Sequence, residues 1–443
     1  MEWQRLSNLA SAFELPDVKR RILFVFAMFA VYALGAHIPL PGIDQGKMFN
    51  IFGGSNLLNI LDAFAGGSLR RFSIFALGIM PYINASIIFQ LLTMAIPSLE
   101  EMQKEGEYGR RKIAQWTRYL TVALAMLQGA GLVTMLRGQG AFIGSSAYVP
   151  FVVLTLTAGT CFLMFLGEQI TEKGIGQGVS LIIFVGIMTH MPTDVAQTIS
   201  QWRTGQVTFF NIAFLTLIFI GTVALIVYVN QAQRKIPVQY AKRVKGTRWY
   251  GGGSSFLPLK VNQAGVIPII FAVSVALFPA TIAQFVLSPR VVETLGHVFG
   301  SPDAVQSVVY DITRITSPGE TPLASVFYFL LVIVFTYFYT AATFNPEQIA
   351  DNMRKNGGFI PGIRPGRPTK RYLDTVMYRI TLAGAIFLGV IAILQYYVGP
   401  LTGVQTFTLV GGTSLLIVVG VALDTMQQVE AHLLMRHYEG FIK

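Results

Sequence analysis

The chain is predicted to be an all-α polytopic membrane protein with ten transmembrane helices, and three observations carry that prediction. Of its 443 residues, 53% are hydrophobic and only 12% charged, about half the charged share with which a soluble domain coats itself in water. Its mean hydropathy is +0.56. Its apolar residues gather into ten runs, near 22–40, 72–96, 119–136, 149–170, 178–191, 209–230, 262–288, 323–344, 376–398 and 405–424. Most approach the roughly 20 residues that cross a bilayer as a helix. This composition excludes a cytosolic enzyme and a disordered scaffold. The single cysteine, Cys161, excludes a disulfide framework and any multi-cysteine metal site.

The first run follows Lys19, Arg20 and Arg21 and ends at Pro39–Leu40–Pro41–Gly42, a strong helix stop. No small-residue cleavage pattern follows, so it reads as a retained helix rather than a removed signal peptide. Before the second run, Asn56 is placed to cap a short helix through Leu57, Leu58, Ile60, Leu61 and Phe64, which Gly66 and Gly67 end. It is too short to cross a bilayer and too apolar for water, so it is expected to tuck back into the protein from the outer side. The fifth run is also short, lying between Gly174–Ile175–Gly176–Gln177–Gly178 and Pro192. Short or glycine-interrupted membrane segments are tolerated where they line a protein cavity, so both places point to the working site. The glycine run superficially resembles a nucleotide loop. It joins two membrane helices with no strand before it, and reads as a tight turn.

Ten spans put both termini on one side, and the positive-inside rule makes that side the inner one. The inner segments then hold 26 of the 33 basic residues and 15 of the 22 acids, so the whole net charge of +11 lies inside. Topology covers most of the charge, but two inner loops exceed it. The loop at about 231–261 carries Arg234, Lys235, Lys242, Arg243, Lys245, Arg248 and Lys260 with no acid. The loop at about 345–375 carries Arg354, Lys355, Arg364, Arg367, Lys370 and Arg371. Both are long for helix connections. Such loops attract phosphate or an acidic protein surface, or contact anionic lipid.

No run has Asp, Glu, Lys or Arg near its middle, which disfavours ion-coupled transport. His37 and His190 lie near the outer ends of their runs and read as hydrogen-bonded interfacial residues. There is no G-x-x-x-x-G-K-[ST] loop and no Ser–His, paired-Asp or H-E-x-x-H arrangement in the runs. The expectation is therefore no enzyme, no cofactor and no metal. A pore with apolar walls and a movable stopper fits better than a solute cage.

Four stretches then carry a resemblance: Arg71-Phe-Ser-Ile-Phe-Ala-Leu-Gly-Ile-Met-Pro-Tyr-Ile-Asn-Ala-Ser86, Glu172-Lys-Gly-Ile-Gly-Gln-Gly-Val-Ser180, Leu257-Pro-Leu-Lys-Val-Asn-Gln-Ala-Gly-Val-Ile-Pro268 and Gly362-Ile-Arg-Pro-Gly366. In this order they resemble the SecY family, the large subunit of the bacterial protein-conducting channel. The resemblance runs from about residue 19 to the tail. It implies two pseudo-symmetric five-helix halves around an hourglass pore, here 1–205 and 206–443, although no internal repeat is visible in the sequence. It implies passage of unfolded, signal-sequence-bearing polypeptides, with membrane segments leaving through a lateral gate.

By motif match, the resemblance places a constriction ring at Ile83, Ile87, Val179, Ile183, Ile270 and Ile417, and a plug at about 57–70. The Ile83/Ile87 and Val179/Ile183 pairs have the i,i+4 spacing of one helix face. Val179 is smaller than the isoleucine expected there. Gate candidates are Gln90, Thr93, Asn262 and Gln263. Docking falls to the basic loops, with Arg243, Lys245, Arg248 and above all Arg364. The pattern expects adjacent basic residues near 247, where this chain has Thr247. Implied partners are SecE, SecG, the SecA motor ATPase, the ribosome and the bilayer, in a bacterial inner membrane with both termini cytoplasmic. A secondary transporter would require charged mid-span residues. An insertase that only releases helices sideways would need a gate but no ring.

Overall fold

The computed structural model describes residues 16–53, 62, 65–145, 147–240, 243–245, 248–250, 253–286, 292, 301–404 and 412–439. Helices dominate, in the order α1 (Pro16–Ala36), α2 (Gln45–Gly53), α3 (Met80–Ala95), α4 (Pro97–Lys104), α5 (Glu107–Gly138), α6 (Tyr148–Lys173), α7 (Gly178–Arg203) and α8 (Phe209–Gln231). After the strands β1 (Gln233–Tyr240), β2 (Arg243–Lys245), β3 (Arg248–Tyr250) and β4 (Ser254–Lys260) come α9 (Ile267–Val286), α10 (Pro302–Thr316), α11 (Pro322–Thr343) and α12 (Pro346–Lys355). Strand β5 (Gly358–Phe359), α13 (Arg367–Thr402) and α14 (Thr413–Glu439) complete the order.

Among the described residues, seven helices are long and apolar enough to cross a membrane, and the α3–α4 pair, bent by 101°, makes an eighth. The two other expected spans fall on α1, 21 residues, and α9, 20 residues with Pro279 inside it. The principal helix pairings repeat. α1 packs on α6 and α7, α3 on α5 and α6, and α6 on α5 and α7. In the same relative order α8 packs on α13 and α14, α9 on α11 and α13, and α13 on α11 and α14. This is a pseudo-symmetric pair of five-helix units. They meet where α9 lies on α3 and α5, and where α14 lies on α7.

Three boundaries differ from the sequence reading. The second span starts as a helix only at Met80; residues 65–79 run mainly as successive turns, with Phe72 at φ 47° and Gly78 at φ 57°. The fifth span is not short. α7 continues through Pro192 to Arg203, because losing one N–H donor bends a helix without ending it when neighbours pack against it. The last span begins as α14 at Thr413, and 405–411 lie outside the described residues.

The basic loops, read as open connections, are partly folded. β1 and β4 form an antiparallel ribbon in which Ile236 faces Leu257 and Val238 faces Ser255, and β5 adds on beside Gln239 and Tyr240. Ile236 and Val238 are buried at alternate positions, as a strand with one covered face requires. Ile236 and Leu259 share a small core with Ile360, Leu373, Val376 and Met377. The two loops thus brace each other against the start of α13, which defines a basic end of the molecule.

Candidate functional site

Four helices bring their first two turns to one place: α3, α7, α9 and α14. Ile83 and Ile87, Ile183, Ile270 and Ile417 are all buried in a single apolar cluster, with Val179 half-buried against it. From this cluster α3 and α14 run toward the basic end, and α7 and α9 run away from it. Side chains of this kind offer no hydrogen bond to water or an ion, and narrow apolar constrictions resist wetting.

On the side away from the basic end, residues 65–79 pack beneath the cluster. Phe75 stacks between Tyr32 and Phe162, with ring centroids 5.9 and 6.0 Å away. The Tyr32 hydroxyl donates to the Ala65 carbonyl at 3.2 Å. Gly66, at φ +66°, lies so close to α7 that a methyl group there would sit 2.6 Å from the Cα of Gly186. Gly67, at φ +76°, would meet the His190 ring at 2.7 Å. Of the expected plug residues these two glycines are described; Leu57, Leu58, Ile60, Leu61 and Phe64 lie outside the described residues.

A cluster the sequence reading missed sits at this contact. The His190 Nδ1–H donates to Asp194 Oδ1 at 2.9 Å, and its Nε2 lies 3.9 Å from Asp62 Oδ2. Both carboxylates are 5% exposed. The Arg70 backbone N–H donates to Asp62 Oδ1 at 2.9 Å. Burial pushes the Asp62 carboxyl above its ordinary range, against the pull of that N–H and of His190. Only the i,i+4 spacing of His190 and Asp194 was visible in the sequence. Among the described residues, no group of three or more His, Cys, Asp or Glu forms a metal site.

The gate candidates divide. Gln90 and Thr93 lie on α3 and Asn262 and Gln263 precede α9, the two helices that pack on each other. Thr93 is buried with its hydroxyl donating to the Gln90 carbonyl at 2.8 Å, and Gln90 is half-buried. The Asn262 amide donates to Asn230 on α8 at 2.8 Å and to the Gly265 carbonyl at 3.2 Å, so it is engaged away from α3. Gln263 is exposed. Arg243, Lys245 and Arg248 fall on β2 and β3 at the ribbon tip. Arg364 is exposed in the turn before α13, where its carbonyl accepts from the Thr369 hydroxyl at 2.9 Å.

The SecY family pattern matches residues 73–426. The protein translocase subunit SecY of Streptomyces galbus is 46% identical over 455 residues, covering 99% of this chain and 100% of that protein. The same subunit of Pseudomonas aeruginosa is 42% identical over 432 residues, covering 97% and 94%. Among solved structures, one described as a protein-conducting channel superposes with a TM-score of 0.65 at 18% identity, covering 96% of each chain. Sec61 in the canine ribosome–channel complex does so at 0.62 and 17% over the same shares. A further structure, at 0.62 and 18% over 96% of each chain, is described as showing that the SecY plug domain stabilises the closed channel and maintains a membrane seal. At these identities the structures speak for the fold, and the full-length relatives for the family: this chain belongs to the SecY family.

Proposed function

We infer that this chain is the protein-conducting channel subunit of a Sec translocase, passing unfolded signal-sequence-bearing polypeptides and releasing membrane segments sideways. The observation that carries the reading is the convergence of five buried isoleucines from four helices. An aliphatic ring binds no side chain specifically, so a chain of any sequence slides through it, and it closes softly around that chain to limit ion leak. Ile83, Ile87, Val179, Ile183, Ile270 and Ile417 are proposed as that ring, and 57–70 as the plug. The lateral gate is proposed along the seam of α3 and α5 with α9 and α11, with Gln90 and Thr93 as its polar residues. The halves are proposed as 1–205 and 206–443, joined by the turn at 204–208, and the repeated helix pairings support that division.

The channel itself is passive, and its energy comes from a partner. The basic end is proposed as cytoplasmic, in a bacterial inner membrane, with both termini there; the one-sided net charge supports this orientation. Arg364 and the ribbon residues Arg243, Lys245 and Arg248 are proposed to receive the SecA motor or the ribosome, and SecE and SecG to complete the complex.

The test is ion conductance of the purified complex in proteoliposomes, with and without deletion of residues 57–68. A silent wild type and a leaky deletion are expected. Leak in both would remove the plug assignment. Silence in both would call for ring replacements to distinguish a self-sealing ring from the absence of a continuous pore.

A further inference from the structure

We propose that His190 is a positioning residue that holds the segment 65–70 against α7 through the contact of its Nε2 with the Asp62 carboxylate, attractive when one of the two carries a proton, so that the seal tightens as the compartment on that side acidifies. The inference rests on the plug reading above.

Three features of the geometry support it. First, the ring is fixed: its Nδ1–H is committed to Asp194 at 2.9 Å, which leaves Nε2 aimed at Asp62 as a bare lone pair unless a second proton arrives. At 3.9 Å from Oδ2, that lone pair meets a carboxylate oxygen unfavourably. One proton on either atom makes the contact attractive, so the sign does not depend on which partner carries it. Second, both carboxylates are 5% exposed, so salt and water screen the contact little. Third, the contact joins two elements that the plug reading requires to part. Asp62 belongs to the segment through the Arg70 N–H bond and the Gly67 N–H bond to its own carbonyl at 3.0 Å, whereas His190 and Asp194 belong to α7. Gly67 rests on the imidazole with no room for a methyl group. The segment therefore cannot swing away without breaking the His190 contact.

The charged or titratable groups that face the joint, among the described residues, are Asp62 and Arg70 on the segment, His190 and Asp194 on α7, and Tyr32 on α1. The Arg70 guanidinium lies over the Phe52 ring, 5.6 Å from its centroid. The proton carried by His190 or Asp62 is the variable across the range in which an imidazole titrates.

The experiment measures conductance of the full complex in proteoliposomes at about pH 5.5 and about pH 8 on the His190 side, across the imidazole range. Hydrogen exchange of residues 65–73 is compared between wild type and variants at each pH. Wild type is expected to stay far below the 57–68 deletion at both pH values. Its residual conductance should be about tenfold higher at the higher pH, the effect of one charge-assisted contact, with matching loss of protection. His190→Gln, with no titrating proton, should leak equally at both pH values. His190→Lys, a fixed cation, should stay sealed and protected at both. Equal wild-type leak and protection at the two pH values overturns the proposal, as does an unchanged pH dependence in His190→Gln. The 57–68 deletion in the same vesicles separates the readings: if it leaks while wild type shows no pH effect, the plug stands and the latch falls. If the deletion is silent, the segment is not what seals the resting chain, so the latch falls, and ring replacements then decide between a self-sealing ring and the absence of a continuous pore. Should a variant not assemble, the wild-type pair of measurements decides alone.

Discussion

A buried isoleucine in a membrane helix is ordinarily packing, and the i,i+4 pairs at Ile83/Ile87 and Val179/Ile183 carry no signal beyond a shared face. The ring role proposed for them rests on the four motifs, because a pore lining and a helix interface use the same side chains at the same spacing. The fold nevertheless gathers residues far apart in sequence into one cluster, and that convergence gives the role a test. Ile270→Asn places an amide in the constriction, where it can hold a water molecule. Proteoliposome conductance is expected to rise above the silent wild type while the purified complex keeps its thermal stability to within about 3 kcal/mol of unfolding free energy, the usual span of single substitutions. An unchanged, silent bilayer would remove Ile270 from the ring. His190 shows the opposite case: its spacing to Asp194 was visible, but Asp62 reaches it only through tertiary folding.

At the scale of elements, the membrane helices were the most legible, because a bilayer leaves the backbone little choice but to bond to itself. Their ends were less so. Pro192 reads as a stop in sequence, yet packing carries α7 through it to Arg203. The ribbon was not legible although Ile236 and Val238 alternate around Pro237, since two buried positions are too short a pattern to separate a strand from a polar loop and a proline argues against one. Its consequence is mechanical. Because β1, β4, β5 and the start of α13 share one small core, Arg364 projects from a braced platform rather than from a free loop. Arg364→Glu should therefore leave folding and resting conductance unchanged while motor-driven translocation of a signal-bearing polypeptide falls severalfold. Wild-type translocation in this variant would move docking away from that turn.

For the whole molecule, hydropathy gave the class without any family knowledge, and charge bias carries the proposed orientation, since both are sums over many residues that no single substitution disturbs. The pseudo-symmetry was invisible in sequence and is plain in the helix pairings: packing geometry repeats where side-chain identity has diverged. The pairings within each five-helix unit outnumber those between units, which meet through α9 on α3 and α5 and through α14 on α7. Parting the units along one side thus disturbs few contacts and leaves each interior intact.

The convergence of four helix beginnings on the isoleucine cluster has an electrical consequence. Each helix start carries a partial charge of about +0.5 from its aligned peptide dipoles, and α3, α7, α9 and α14 each place cluster residues within about their first two turns. The proposed constriction would therefore sit in a standing positive potential built from backbone alone. Any current that slips past a breached ring should favour chloride over potassium, which a reversal-potential measurement under a salt gradient would read directly, with an unselective leak as the contrary result.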